Sequence, residues 1–266
     1  MSASSTGLLP SNHLLKGKYL IINKLGSGGF ASVYKAEEIT RSTFVAVKEL
    51  GFSSLNNGNP PTQQQKKDAI QNFQRESAIL TSLNHSSIPK FYDCFEENGR
   101  WYLVMDLIEG KTLQDFLAKK GGKISPKEMI DIGDQLCDVL EYLHNCQPPI
   151  IFRDLNPENI MITPAGHIYL IDFGISRHFK PGGLYTEPLG TRGYAAPEQY
   201  KRNQVITLLS DIYSLGVTFH NMLTGQDPVE NTPTLFNFNS PKTYVPSIPV
   251  EIDSLIMKMV EADKSC

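Results

Sequence analysis

Cysteine is scarce and unpatterned in this chain. Four cysteines, Cys94, Cys137, Cys146 and Cys266, occur in 266 residues, none at C-x-x-C spacing, and Cys137 falls inside a helical pattern. Such usage argues against a disulfide framework or a thiolate metal site and for a reducing compartment. No stretch reaches the ~18 apolar residues that would cross a bilayer. The Ser-rich start, Met1 to Lys16, lacks the basic and apolar regions of a secretory signal. A cytoplasmic protein with no membrane segment, or the cytosolic part of something longer, is the expectation. Neither sign of charge is in excess: 25 Lys and Arg against 28 Asp and Glu leave a net charge of -3. Composition therefore carries no signature of a nucleic-acid partner or a membrane surface. At 40% hydrophobic, the chain can bury the core of one large domain or of two lobes.

From Tyr19 to Lys48 the sequence alternates in strand fashion around Gly26-Ser27-Gly28-Gly29, with Val33, Lys35, Phe44, Ala46 and Lys48 at period-two positions. The pattern predicts a Gly-rich hairpin. Because Phe30 to Tyr34 continues as strand, the glycines do not open a helix as they do in a dinucleotide-binding turn. Ser53 to Gln65 is polar and aperiodic and reads as an exposed loop insertion. Ala69, Ile70, Phe73, Ser77, Leu80 and Leu83 then define an amphipathic helix with Glu76 on its inner face. A buried carboxylate requires a cation, and Lys48 is the candidate. Trp101 to Asp106 reads as an apolar strand, and Ser125-Pro126-Lys127-Glu128 is a capping box opening a helix that ends near Asn145. Later helices are expected around Ile212 to Met222 and Ile252 to Met259.

Several of these segments carry residues suited to phosphate chemistry. Backbone N–H groups at Gly26, Gly28 and Gly29 can approach phosphate oxygens because no side chain intervenes. Lys48 is a point cation at a strand end, and Asn159 and Asp172 offer hard oxygen ligands of the kind magnesium prefers. Asp154, in Phe152-Arg153-Asp154-Leu155-Asn156-Pro157-Glu158-Asn159, can accept a proton from a hydroxyl. Each feature alone has an ordinary reading as a turn, an exposed lysine or a surface loop. Their succession in one chain weighs against all of those readings together.

In order, Gly26 to Val33, Val45 to Lys48, Glu76, Arg153 to Asn159, Asp172 to Gly174 and the run ending Ala196-Pro197-Glu198 resemble the protein-kinase signatures. The resemblance spans about residue 19 to the end. Around Phe152 to Asn159, Ile171 to Gly182 and Gly190 to Tyr200 the wording is similar to eukaryotic-like (Hanks-type) serine/threonine kinases of bacteria, of cyanobacterial type. The resemblance implies an α+β, bilobal fold with a flexible leader at 1–18, a β-rich N-lobe at about 19–105, a hinge at about 106–110 and a mostly helical C-lobe at about 111–266. The last helices of that lobe, and the buried arginine that would pair with Glu198, are expected beyond Cys266.

The same resemblance implies transfer of the γ-phosphate of ATP to serine or threonine, with Asp154 as base and Mg2+ held by Asn159 and Asp172. Lys48, held by Glu76, would contact the phosphates. Leu25, Gly26, Ser27, Gly28, Gly29, Phe30, Val33, Ala46, Asp106, Ile108 and Met161 would surround the nucleotide. Arg153, Thr186, Glu187 and Thr191 would order the activation segment, with Glu187 at the usual phosphosite, and Asp211 would support the catalytic-loop backbone. The implied partners are a protein substrate and a second copy of the chain for autophosphorylation. Three positions depart from the pattern: Ala31 stands for a glycine, Phe152 for the catalytic-loop histidine and Asn156 for a lysine that contacts the γ-phosphate. Losing one charge-assisted hydrogen bond is worth roughly 1.5 to 3 kcal/mol, or about ten- to 150-fold in rate. A pseudokinase that binds nucleotide as a scaffold is the rival expectation.

Overall fold

The computed structural model describes residues 9–28, 31–50, 62–173, 177–178, 184–185, 190–201, 204–229 and 236–261. The chain forms two compact units. One comprises Met1–Asn84 with Pro89–Ile108, the other His85–Ile88 with Glu109–Cys266.

Among its described residues, the first unit is an antiparallel sheet with one helix. Its strands are β1 (Leu14–Leu15), β2 (Tyr19–Gly28), β3 (Ala31–Glu38), β4 (Thr43–Leu50), β5 (Phe91–Glu97) and β6 (Arg100–Asp106), in the order β1-β2-β3-β4-β6-β5. Alternation sends Tyr34, Ala36, Val45, Val47, Tyr102 and Val104 to one face, where they pack with Leu15, Tyr19, Ile21 and Phe95. Val33, Lys35, Ala46 and Lys48 alternate onto the opposite, less buried face. Phe44, in the same sequence pattern, is 52% exposed and lies under the Lys35 ammonium, 4.1 Å from its ring centroid.

Residues 9–18 differ from the expected flexible leader. Strand β1 pairs with β2, Leu15 is buried in the sheet's apolar cluster, and the Lys16 ammonium lies 2.8 Å from Asp93. A single leucine that completes an apolar face gives no periodic signal in sequence. Helix α1 (Gln63–Ser82) likewise begins earlier than expected, taking in the last residues of the anticipated 53–65 loop. Glutamine is a good helix former, so three in succession can extend a helix without apolar periodicity. The α1 stripe that is buried consists of Phe73, Glu76, Ile79 and Leu80.

The second unit is mostly helical. Strand β7 (Lys111–Thr112) leads into α2 (Leu113–Lys119) and α3 (Pro126–His144), and the predicted capping box is present: Ser125 Oγ accepts from Glu128 N–H while Glu128 accepts from Ser125 N–H. Short strands β8 (Ile150–Ile151), β9 (Ile160–Ile162), β10 (Ile168–Leu170), β11 (Arg177–His178), β12 (Leu184–Tyr185) and β13 (Gln204–Val205) follow. Helix α4 (Leu209–Thr224) is buried on nearly every side, as a core helix must be, with α3 and the later α6 (Val250–Met259) packed on it and the short α5 (Pro241–Tyr244) beside it. It stops at Gly225, whose φ of 71° lets its N–H cap Asn221 O. No helix among the described residues is long and apolar enough to cross a membrane.

Candidate active site

Within the first unit, register builds the constellation. Val33 lies directly opposite Lys48 across β3 and β4, and Ala46 is two residues before it, so Val33, Ala46 and Lys48 share one face. Lys48 Nζ donates to Glu76 Oε1 of α1 at 2.7 Å, and the two side chains are 12% and 4% exposed. The predicted cation for the buried carboxylate is therefore in place. The hairpin pairs Gly26 with Val33, Ser27 with Ser32 and Gly28 with Ala31, and register shifts before Gly26 bend β2 there. Leu25 is half-exposed, while Gly29 and Phe30 lie outside the described residues. At the end of β6, Asp106 accepts from Lys90 N–H at 2.9 Å and from the Tyr92 hydroxyl at 2.5 Å. The bond to Asp106, followed by burial, pushes the Tyr92 phenol up to about 12. Ile108 is partly buried just beyond.

The second unit assembles a loop around Asp154. Pairing of β9 with β10 sets Ile160 opposite Leu170, so Asn159 before β9 and Asp172 after β10 emerge at the same end of the hairpin. Ile171 N–H donates to Asn159 O at 2.9 Å, completing that link. Asp154 Oδ1 accepts from Thr191 N–H at 2.9 Å and Thr191 Oγ1 at 2.8 Å, while Oδ2 accepts from Asn159 Nδ2 at 2.9 Å. Burial pushes the Asp154 carboxyl above the ordinary aspartate range; the Thr191 and Asn159 bonds oppose that shift, and the nearby Asp172 charge adds to it.

Backbone strain accompanies this geometry. Arg153 and Asp172 hold φ of 73° and 66°, a left-handed region that non-glycine residues rarely occupy. Arg153 is held by the buried Asp211 of α4. Its Oδ1 accepts from Arg153 N–H at 2.7 Å, and its Oδ2 from Phe152 N–H and from His144 Nε2, each at 2.9 Å. Gly190, at φ 117°, lets the segment close on the loop, since a Cβ there would lie 2.8 Å from the Ala195 Cβ.

These features fit one family. A model of the protein kinase domain matches residues 19–265. The chain belongs to the protein kinase domain family. It is 32% identical over 259 residues to the serine/threonine-protein kinase PrkC of Bacillus subtilis, covering 94% of this chain and 38% of that protein. A probable serine/threonine-protein kinase of Streptomyces coelicolor is 31% identical over 265 residues, with 94% and 37% covered. The serine/threonine-protein kinase cds1 of Schizosaccharomyces pombe is 35% identical over 216 residues, with 79% and 45% covered. The chain thus spans less than half the length of these relatives. Sheet-rich and helix-rich units are the β-rich and helical lobes of a bilobal α+β kinase fold.

Within this kinase domain, Asp211 meets the catalytic-loop backbone as the sequence predicts, and Phe152 packs edge-on against Phe173 with ring centroids 5.1 Å apart. Glu198 accepts a 2.6 Å hydrogen bond from Ser210 Oγ. Met161 sits in β9, partly buried, opposite Tyr169 and Thr112. Thr186 and Glu187 lie outside the described residues. Sequence reasoning missed Gln199, whose side chain donates to Arg153 O at 2.8 Å and accepts from Ala196 N–H at 3.1 Å. It also missed His144, for which its place four residues after the buried Leu140, on the inner side of α3, was the available signal.

Proposed function

We propose that this kinase domain transfers the γ-phosphate of ATP to serine or threonine hydroxyls of proteins, including a second copy of itself. The observation that carries the reading is the Asp154 carboxylate: partly buried, strained into place by its neighbour and hydrogen-bonded on both oxygens by Thr191 and Asn159. In this reading Asp154 accepts the acceptor hydroxyl's proton and orients its oxygen, with a basicity that burial raises. Lys48, held by Glu76, places a positive charge for the α- and β-phosphates, and Gly26 and Gly28 offer backbone donors. Leu25, Val33, Ala46, Asp106, Ile108 and Met161 bind the rest of the nucleotide. Asn159 spends its Nδ2 on Asp154, and its Oδ1 has no hydrogen-bond partner among the described residues. With the exposed Asp172 carboxylate, it makes a hard-oxygen donor pair that suits Mg2+. Bound magnesium would neutralise phosphate charge. Protein positioning of this kind supplies most of the rate in phosphoryl transfer.

Transfer of labelled γ-phosphate, with Asp154→Asn as control and myelin basic protein as acceptor, tests the reading. Label on serine or threonine that vanishes in the variant is the expected result. Asn156 in place of the family's lysine favours the rival, and magnesium-dependent ATP binding that raises the melting temperature without any transfer would establish a nucleotide-binding scaffold instead.

A further inference from the structure

Asn156 is not a surface residue awaiting a phosphate. It is 2% exposed, and the four hydrogen bonds of its side chain among the described residues are all internal. Its Oδ1 accepts from the backbone N–H groups of Glu158 at 2.9 Å and Asn159 at 3.3 Å. Those donors fix the amide orientation, because only oxygen can accept from them. Nδ2 must then face the other way, donating to Asp154 O at 3.0 Å and to Thr191 Oγ1 at 3.1 Å. With Oγ1 accepting from Asn156, the Thr191 hydroxyl proton is directed at Asp154 Oδ1, 2.8 Å away. A directed chain thus runs from Asn156 through the Thr191 hydroxyl to the Asp154 carboxylate.

We propose that Asn156 is a positioning residue, whose amide locks the Thr191 hydroxyl onto Asp154 and so ties the activation segment to the catalytic loop through a neutral bridge. The inference rests on the proposed function for its kinetic consequences, but the bridge itself is independent of it. What looked in sequence like a missing cation is a residue whose donors and acceptors are all used to hold the base. An aspartate at this position would keep the acceptor half of the amide and reverse the donor half. It would take the Thr191 hydroxyl proton for itself and set a second carboxylate beside Asp154.

The test compares wild type, Asn156→Asp, Thr191→Val and the double variant. Asn156→Asp should lower kcat about ten- to hundredfold, the scale of one lost hydrogen bond to a charged group, with KM for ATP within about twofold. In the Thr191→Val background, the same substitution should lower kcat by far less, because the bridge is already cut. Amide hydrogen exchange adds a readout that needs no activity: residues 190–196 should exchange faster in Asn156→Asp while α4 stays protected. Unchanged exchange in Asn156→Asp, or effects that multiply fully in the double variant, would overturn the proposal. If the wild type transfers no phosphate, the functional reading fails, and exchange at 190–196 alone decides the bridge.

Discussion

Thr191 donates both its backbone N–H and its hydroxyl to the same oxygen of Asp154, at 2.9 Å and 2.8 Å. Both donors favour the charged carboxylate, yet burial outweighs them and leaves the Asp154 carboxyl above its ordinary value of 3.8. If Asp154 is the base, as proposed, it must be ionised, and the acid limb of kcat/KM is expected above pH 3.8. Thr191→Val removes one donor that stabilises the charged form and should move that limb further up. The linkage sign follows from a raised carboxyl pKa: any stability tied to protonated Asp154 is full below 3.8 and lost as pH rises through the folded value. A pH–rate profile of both proteins checks the order of the two limbs, and identical limbs would contradict it.

Replacing Lys48 removes the cation that Glu76 faces at 2.7 Å in a largely buried setting. Lys48→Met should abolish measurable transfer and cost about 3 kcal/mol in urea unfolding, the scale for breaking a buried pair from one side. Glu76→Leu in addition should recover part of that stability, because two apolar side chains need no counter-charge, while activity stays absent. A double variant less stable than Lys48→Met alone would show that Glu76 is held by something other than this lysine.

The elements most legible in sequence were those in which one periodic or chemical rule acts without competition. Ser125 and Glu128 marked the start of α3 because capping is local, and the Glu76 position in a buried stripe demanded a cation that register then supplied. Residues 9–18 were not legible, because Leu15 contributes one side chain to a core built by distant strands and shows no period of its own. The polar glutamines opening α1 were missed for a related reason: propensity extends a helix without marking a face. Around Asp154, hydrogen-bond direction was not readable from the residue types. Asn156 resembled a deficit until its two faces were seen to be engaged, and Gln199 carried no motif at all.

The buried Asp211 carboxylate accepts from Phe152 N–H, Arg153 N–H and His144 Nε2, so it fixes the backbone immediately before Asp154. Asp211→Ala deprives two buried backbone donors of that acceptor, at roughly 1 to 3 kcal/mol each. Chemical unfolding should show a loss within that combined range, and kcat should fall with little change in KM for ATP. Asp211→Asn, which keeps one oxygen, is expected to fall between wild type and alanine on both measures. A change confined to KM would place the role of Asp211 in nucleotide binding rather than in holding the Asp154 loop.

At the start of α3, Glu128 is held down to about 2 by the Lys120 ammonium first and by the Ser125 N–H and hydroxyl next. A depressed carboxyl pKa contributes stability that is present above its ordinary value of 4.5 and lost as pH falls toward about 2. Both side chains are partly solvent-exposed, at 47% for Lys120 and 39% for Glu128, so screening keeps the ion-pair share small and salt-sensitive. The cap is less dependent on salt: Ser125→Ala should cost about 1 kcal/mol at neutral pH. Glu128→Gln removes the titrating group but can still accept from Ser125, so between pH 5 and pH 3 its melting temperature should drop less than that of the wild type. Parallel melting curves across that interval would show that Glu128 takes no part in the acid response.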